Sequence, residues 1–333
     1  MGVPMGEKQA EGGSVDLSAD FAGLKLRNPL VAASGTCGWG QELEGVEGFS
    51  NGLLGAIVLK STTLEPRLGN PTPRIVETAG GAGLINSIGL ENPGVEVVVR
   101  DYLPKLMDAP TVVIANVAGS TVEEYARVAE RLCGSAAVSA IEVNISCPNV
   151  KRGGLLFGID PEAAADVVAA VRGVTDKPVI AKLTPNVTDV AAIARACMEA
   201  GADALSLANT FRALAIDVRT RRPLIASNYG GLSGPAIKPL ALMKVHETYQ
   251  VARRAGVPIL GGGGIVSGSD ALEFVLAGAT AFFVGTLLLR EAAACSRLLG
   301  ELGALLAEQG VSRIRDLVGA LQLHAEAGEE GGA

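Results

Sequence analysis

The chain has 333 residues, of which 48% are hydrophobic and 19% charged, and its formal net charge is −7. That much apolar material builds a substantial core and excludes a disordered chain, while the negative balance excludes a general nucleic-acid binder, which needs clustered Lys and Arg against phosphate. The longest uncharged run, Phe274 to Leu289, spans sixteen residues with two internal glycines; it is short of the ~20 that cross a bilayer, so no membrane contact is expected.

The opening stretch, MGVPMGEKQAEGG, has no apolar segment of the signal-peptide kind. Five cysteines (Cys37, Cys133, Cys147, Cys197 and Cys295) lie far apart with no C-x-x-C pair. An odd count without a secretion signal reads as reduced thiols, so a cytoplasmic protein is expected. Residues 1–14 and 326–333, rich in Gly, Glu and Ala, read as flexible ends, flanking a single domain over 15–310.

Taken in chain order, short β-branched runs alternate with longer segments of helical period. Strands are predicted at Leu30–Ala33, Ala56–Lys60, Thr111–Asn116, Ala140–Asn144, Pro178–Leu183, Ala204–Ala208, Pro258–Gly261 and Ala281–Val284. Helices are predicted near Glu42–Phe49, Gly94–Lys105, Thr121–Cys133, Pro161–Val174, Val187–Ala200, Pro235–Ala255, Ser267–Ala277 and Thr286–Gln309. Most strands are continuously apolar, the pattern of parallel strands covered on both faces. Eight such units match a (β/α)8 TIM barrel, which takes ~250 residues; a doubly wound sheet is the alternative. Segments 61–93 and 209–234 are too long for ordinary βα loops. Each follows a predicted strand, so both are long insertions at the C-terminal rim, where barrel enzymes keep their chemistry.

The seventh strand runs into Gly261-Gly262-Gly263-Gly264 and a helix opened by Ser267, and the eighth ends at Gly285-Thr286 before another helix. Glycine lets backbone N–H groups approach an anion, and a helix N-terminus adds a favourable dipole. Two such signals on strands seven and eight mark a phosphate site. Around the remaining rim stand Lys60, Asn116, Asn144, Lys182 and Asn209-Thr210, with Asn86 on the first insertion. Buried without partners these groups would be costly; at a barrel mouth they meet a ligand. Amides pair with both edges of a uracil-like ring, and lysines offset negative charge on a carboxylate or a reduced flavin. Cys147 sits in Asn144-Ile145-Ser146-Cys147-Pro148-Asn149, before a proline that keeps it extended. A cysteine among lysines can work as a base or nucleophile. Cys133, Cys197 and Cys295 fall inside predicted helices and read as inert, and Cys37 stays undecided. His246 and His324 read as structural or solvent-facing, and Arg219, Arg221 and Arg222 as a solvated loop. No metal-ligand spacing and no Ser/His/Asp arrangement is present.

These residues carry a resemblance over about 15–310. The segments NPLVAASGTCG, KSTTLEPRLGNPTPRIVET, INSIGLENPG, VNISCPN, KLTPNVTD, LSLANT, GGLSGPAIKP, GGGGI and VGT are similar to those of dihydroorotate dehydrogenases of class 1, and TTLEPRLGNPTPR with GLENPGV resembles the class 1B catalytic subunit. The resemblance implies an FMN-containing barrel that oxidises dihydroorotate to orotate in pyrimidine synthesis (UMP biosynthesis). Carried onto matching positions, FMN contacts come from Ser34, Lys60, Ser61, Asn116, Asn144, Lys182, Ala208, Gly234, Gly263, Gly264, Gly285 and Thr286. Orotate contacts come from Lys60, Asn86, Ser87, Ile88, Gly89, Leu90, Asn144, Asn149, Asn209 and Thr210. Cys147 matches the family's catalytic base and Lys60 is the second catalytic candidate; Cys147 takes a proton from C5 while a hydride leaves C6 for flavin N5. The segment LLLREAAACSRLLGELG departs from the family pattern, which puts the last helix in doubt.

Electron exit is the remaining expectation. The chain has neither a second nucleotide-binding unit nor the four closely spaced thiolates of an iron–sulfur cluster. The class 1B resemblance therefore implies a partner subunit carrying FAD and a 2Fe–2S cluster, with a homodimer of this chain as the core of a heterotetramer and NAD as acceptor. The alternatives are a class 1A enzyme working alone with fumarate, an FMN-dependent dihydropyrimidine dehydrogenase, and a non-enzymatic flavin-binding scaffold. A dihydrouridine synthase, which must hold tRNA, is opposed by the negative charge.

Overall fold

A computed structural model describes residues 15–146 and 154–324. Eight strands close into one parallel barrel: β1 (Leu30–Ala32), β2 (Ala56–Val58), β3 (Val112–Val117), β4 (Ala140–Asn144), β5 (Val179–Lys182), β6 (Ala204–Leu207), β7 (Ile259–Gly262) and β8 (Ala281–Val284). Each pairs with its sequence neighbours and β8 returns to β1. This is the (β/α)8 architecture, and all eight predicted strands are present within a residue or two at their ends. The doubly wound alternative is excluded by the closure.

Alternation along each strand sorts the side chains. Those facing outward form the larger core with the helices. Inward-facing Val31, Ala56, Val58, Ile114, Ala140, Ile180, Ala204, Leu260 and Ala281 fill the barrel, joined from below by Ala19, Phe21 and Leu26. The latter three lie on an antiparallel hairpin, Ala19–Phe21 with Leu24–Leu26, that stops the N-terminal end. The barrel is thus dry and closed at one end and polar at the other.

The surrounding helices begin where the sequence supplies caps. Thr121, Asp160 and Asp189 accept backbone N–H groups at the starts of Val122–Cys133, Pro161–Arg172 and Val190–Glu199. Ser267 and Asp270 form a capping box at Gly268–Ala277. Three helix expectations need correction. Glu42–Phe49 is a run of turns, because Gly38, Gly40 and Gly48 take positive φ and the Glu42 carboxylate folds back to accept the Trp39 N–H. Gly94–Lys105 is helical but irregular, a single regular turn at Val95–Val97 followed by a wide turn and then tight turns around Pro104. Thr286–Gln309 is two helices, Thr286–Arg290 and Ala294–Glu308, broken at Glu291 with φ −145° and ψ 85°. The break lets Leu298, Leu302 and Leu306 bury against the barrel helices, and Glu301 accepts the Gly268 N–H at 2.7 Å. The doubted last helix therefore forms. Packed chain continues past residue 310: Ile314 is buried and its N–H donates to Asp16.

The two insertions meet. Ile75–Glu77 and Leu84–Asn86 from the first pair with Phe211–Ala213 and Gly230–Ser233 from the second in one antiparallel four-stranded sheet over the rim. Arg219, Arg221 and Arg222 lie exposed on and around the small hairpin of Ile216–Asp217 with Arg222–Pro223.

Candidate active site

Under the four-stranded sheet lies a cavity of about 320 Å³ at the C-terminal end of the barrel. Eight of the residues carried over for the cofactor line it: Ser34, Lys182, Ala208, Gly234, Gly263, Gly264, Gly285 and Thr286. Four of the residues carried over for the substrate, Asn86, Ile88, Asn209 and Thr210, line the same space. Residues from β5 and β8, from the segments just past β1, β6 and β7, and from both insertions are thus gathered around one volume.

On one side the wall is backbone. Gly263 and Gly264 have φ of 138° and 87°, a region that disfavours side chains. A Cβ on Gly264 would come within 2.9 Å of the Gly234 carbonyl oxygen and 3.0 Å of Lys238 N. Gly285 stands before the helix Thr286–Arg290, and the Thr286 hydroxyl donates to Ser233 Oγ at 2.8 Å.

Behind two other lining residues, Asn209 and Lys182, stands a chain of side chains. Asn209 Nδ2 donates to Ser146 Oγ at 2.6 Å, Ser146 Oγ donates to Asn144 Oδ1 at 2.8 Å, and Asn144 Nδ2 donates to Ser61 Oγ at 3.1 Å. The hydroxyl of Tyr125 donates to the Asn144 carbonyl at 2.8 Å. Deeper in the barrel, Glu142 Oε1 accepts from Asn116 Nδ2 at 2.5 Å and from Lys182 Nζ at 3.1 Å. Lys60, at the end of β2, has its Nζ 5.3 Å from the centroid of Trp39, a cation–π contact. Lys60, Ser61, Asn116 and Asn144 do not line the cavity themselves; the last three reach it through these hydrogen bonds.

Ser87, between Asn86 and Ile88, is fully buried, and its hydroxyl accepts from Asn70 Nδ2 at 2.8 Å. Gly89 and Leu90, both with positive φ, continue that loop. Cys147 and Asn149 lie outside the described residues. The remaining cysteines are inert by environment: burial pushes the thiol of Cys37 up to about 11, those of Cys197 and Cys295 up to about 12, and that of Cys133 upward. Cys37 is thus held toward its protonated form by burial. His246 is half-buried on Lys238–Ala255 beside Gln250, and His324 is exposed.

Sequence reasoning missed Glu142, Ser146, Ser233 and Trp39. Glu142 and Ser146 flank Asn144 in the strand and its loop, and a polar residue two before or two after a recognised site residue shares its face. Ser233 and Trp39 left no such signal, because only the pairing of remote segments brings them to the rim.

A closed parallel barrel that collects lysines and amides at its C-terminal rim, beside a glycine-lined cup, is a (β/α)8 enzyme. The family description "Dihydroorotate dehydrogenase" matches residues 16–306. A protein of Geobacter sulfurreducens, "Dihydroorotate dehydrogenase B (NAD(+)), catalytic subunit", is 51% identical over 308 residues, 92% of this chain and 99% of its own length. Identically named proteins of Pelobacter propionicus and Desulforudis audaxviator are each 52% identical, over 92% of this chain and 99% and 97% of their own lengths. The chain belongs to the dihydroorotate dehydrogenase family. It is an oxidoreductase, its reaction the oxidation of dihydroorotate to orotate in pyrimidine biosynthesis, and the family works with a flavin. Among the described residues no helix is long and apolar enough to cross a membrane.

Proposed function

We propose that the flavin is FMN, that Cys147 is the base, and that the electrons leave through a partner subunit to NAD. The observation that carries this reading is the single cavity lined on one side by Gly263, Gly264 and Gly285 and on the other by Lys182, Asn209 and Asn86. A mononucleotide fits this donor set: a phosphate suits bare N–H groups and a helix N-terminus, and a ring system suits the amides and lysine beyond. Asn116 Oδ1 and Ser206 Oγ are buried without a protein partner among the described residues; both lie behind the cavity lining, Ser206 opposite Lys182 and Asn116 opposite Glu142.

When bound, FMN supplies a two-electron acceptor. The chain's own residues do the rest. Gly263, Gly264 and Gly285 hold the phosphate through backbone N–H groups. Lys182, lining the cavity, would supply a positive charge toward a bound flavin, a preorganised electrostatic role in a water-poor site. Asn86, Asn144, Asn149 and Asn209 would orient the substrate ring, and Lys60 would offset the charge of its carboxylate. Cys147, as thiolate, removes the C5 proton. The sheet over the cavity excludes water while this happens.

The relatives' printed name, a catalytic subunit linked to NAD(+), supports a second subunit. We place FAD and a 2Fe–2S cluster on that partner, with a homodimer of this chain at the centre of a cytoplasmic heterotetramer. The test is anaerobic: dihydroorotate should bleach the visible flavin absorbance of the isolated chain within one turnover. Steady turnover is expected with an acceptor dye, and negligible NAD reduction until the partner is added. Efficient fumarate reduction by the chain alone would assign it to the class 1A mode, and NAD reduction by the chain alone would overturn the partner.

A further inference from the structure

Glu142 is 1% exposed, on the inner face of β4, and buried carboxylates are retained only with strong partners. Its partners are two residues of the proposed site. One oxygen, Oε1, accepts from both Asn116 on β3 and Lys182 on β5. Lys182 Nζ also lies 5.9 Å from the ring centroid of Phe283 on β8, and Lys182 lines the cavity. Register explains the meeting: Asn116 stands opposite Glu142, and Lys182, opposite Asn144, stands one inward position further along β5, so its long side chain reaches Glu142 above an apolar barrel floor.

We propose that Glu142 is a positioning residue for the redox reaction. It fixes Lys182 beside the flavin and offsets the lysine's charge, which tunes how strongly the site stabilises negative charge on the reduced ring. This rests on the proposed placement of Lys182 at the flavin. The inner wall then holds net charge zero with the pair intact, one positive charge when Glu142 is neutralised, and one negative charge when Lys182 is.

Sulfite reads that charge without turnover. Its sulfur lone pair forms a bond to flavin N5 and leaves a negative charge on the ring, so its dissociation constant follows the local field. Four holoproteins at pH 6.5 make a cycle: the parent, Glu142→Gln, Lys182→Met, and the double variant, in which both charges are replaced by neutral groups of similar shape. Flavin content and melting temperature serve as controls. Glu142→Gln should bind sulfite about tenfold more tightly than the parent, which for a two-electron couple is about 30 mV. Lys182→Met should bind at least tenfold more weakly, and the double variant should return towards the parent. A parent-like Glu142→Gln together with a double variant identical to Lys182→Met would reduce Glu142 to a structural role. An unchanged Lys182→Met would instead overturn the placement of the lysine at the flavin. If Glu142→Gln loses its flavin, the comparison of the double variant with Lys182→Met decides by itself.

Discussion

The two walls of the cavity are built in opposite ways. The glycine wall, at the ends of β7 and β8, offers backbone donors whose geometry is set by φ angles and by the tight approach of Gly234 to Gly264. The amide wall presents Asn209 and Lys182 to the cavity, each held from behind by a network at the ends of β2 to β6: Asn209 to Ser146, Ser146 to Asn144, Asn144 to Ser61, and Asn116 and Lys182 to Glu142. A backbone cup has no rotamers to order and is ready for an anion before it arrives. A side-chain network can place different functional groups at chosen points, but each depends on its neighbours. The first kind suits a permanently held phosphate, and the second suits a ring whose reaction needs several distinct contacts.

The comparison predicts all-or-none failure on one side and graded failure on the other. The largest effect is expected from Gly264→Val, whose side chain would demand a positive φ and collide with the Gly234 carbonyl. The variant should fold yet purify colourless; a full complement of FMN would refute the backbone cup. Next is Cys147→Ala, which should keep flavin and bind orotate but reduce flavin ~10²–10⁴-fold more slowly in stopped flow, the usual cost of losing a positioned base. Cys147→Ser should regain rate as pH rises, and Cys295→Ala should match the parent.

A smaller change is expected from Ser146→Ala. It removes the hydroxyl shared by Asn209 and Asn144 while leaving the glycine wall intact. KM for dihydroorotate should rise roughly five- to tenfold, the scale of one or two hydrogen bonds, with flavin content unchanged. A lowered flavin content with unchanged KM would show that the amide wall serves the cofactor instead.

The smallest effect concerns neither wall directly and checks that the layer between the barrel and its helices excludes water. Cys37, Cys197 and Cys295 hold their protons to about 11, 12 and 12 through burial, whereas an unfolded chain loses them near the ordinary thiol value. Above about pH 9 the native state therefore binds more protons than the unfolded one, and stability falls as pH rises. The slope approaches about 1.4 kcal/mol per pH unit for each fully buried thiol. Denaturant midpoints at pH 8.5 and 10.5 should differ in that sense, and the Cys197→Ala variant should lose part of the difference.

Much of this was legible in the sequence because it is local. Strand and helix periods are carried by neighbouring side chains, so all eight barrel strands could be read from Leu30 to Val284, with ends good to a residue or two. The glycine wall was equally legible, since Gly263 and Gly264 are consecutive and their φ requirements belong to the chain itself. Helix breaks were less so: the segment Thr286–Gln309 has helical composition throughout, and only packing of Leu298 and Leu302 against the barrel helices requires the bend at Glu291. The run Glu42–Phe49 failed for the reverse reason, because positive φ at Gly40 and Gly48 and the Glu42–Trp39 hydrogen bond outweigh a helical pattern.

The sequence by itself determined that a parallel barrel forms, which rim positions are polar, and where an anion can meet bare backbone. Tertiary structure alone decided which of those polar groups are partners. The pairing of Gly230–Ser233 with Leu84–Asn86 joins segments about 145 residues apart, and the register of β3, β4 and β5 sets Glu142 opposite Asn116 and within reach of Lys182. Neither distance nor stagger is written in any local pattern: register is fixed by closure of the whole barrel, and a one-residue slip would turn Glu142 outward into the apolar layer under the helices.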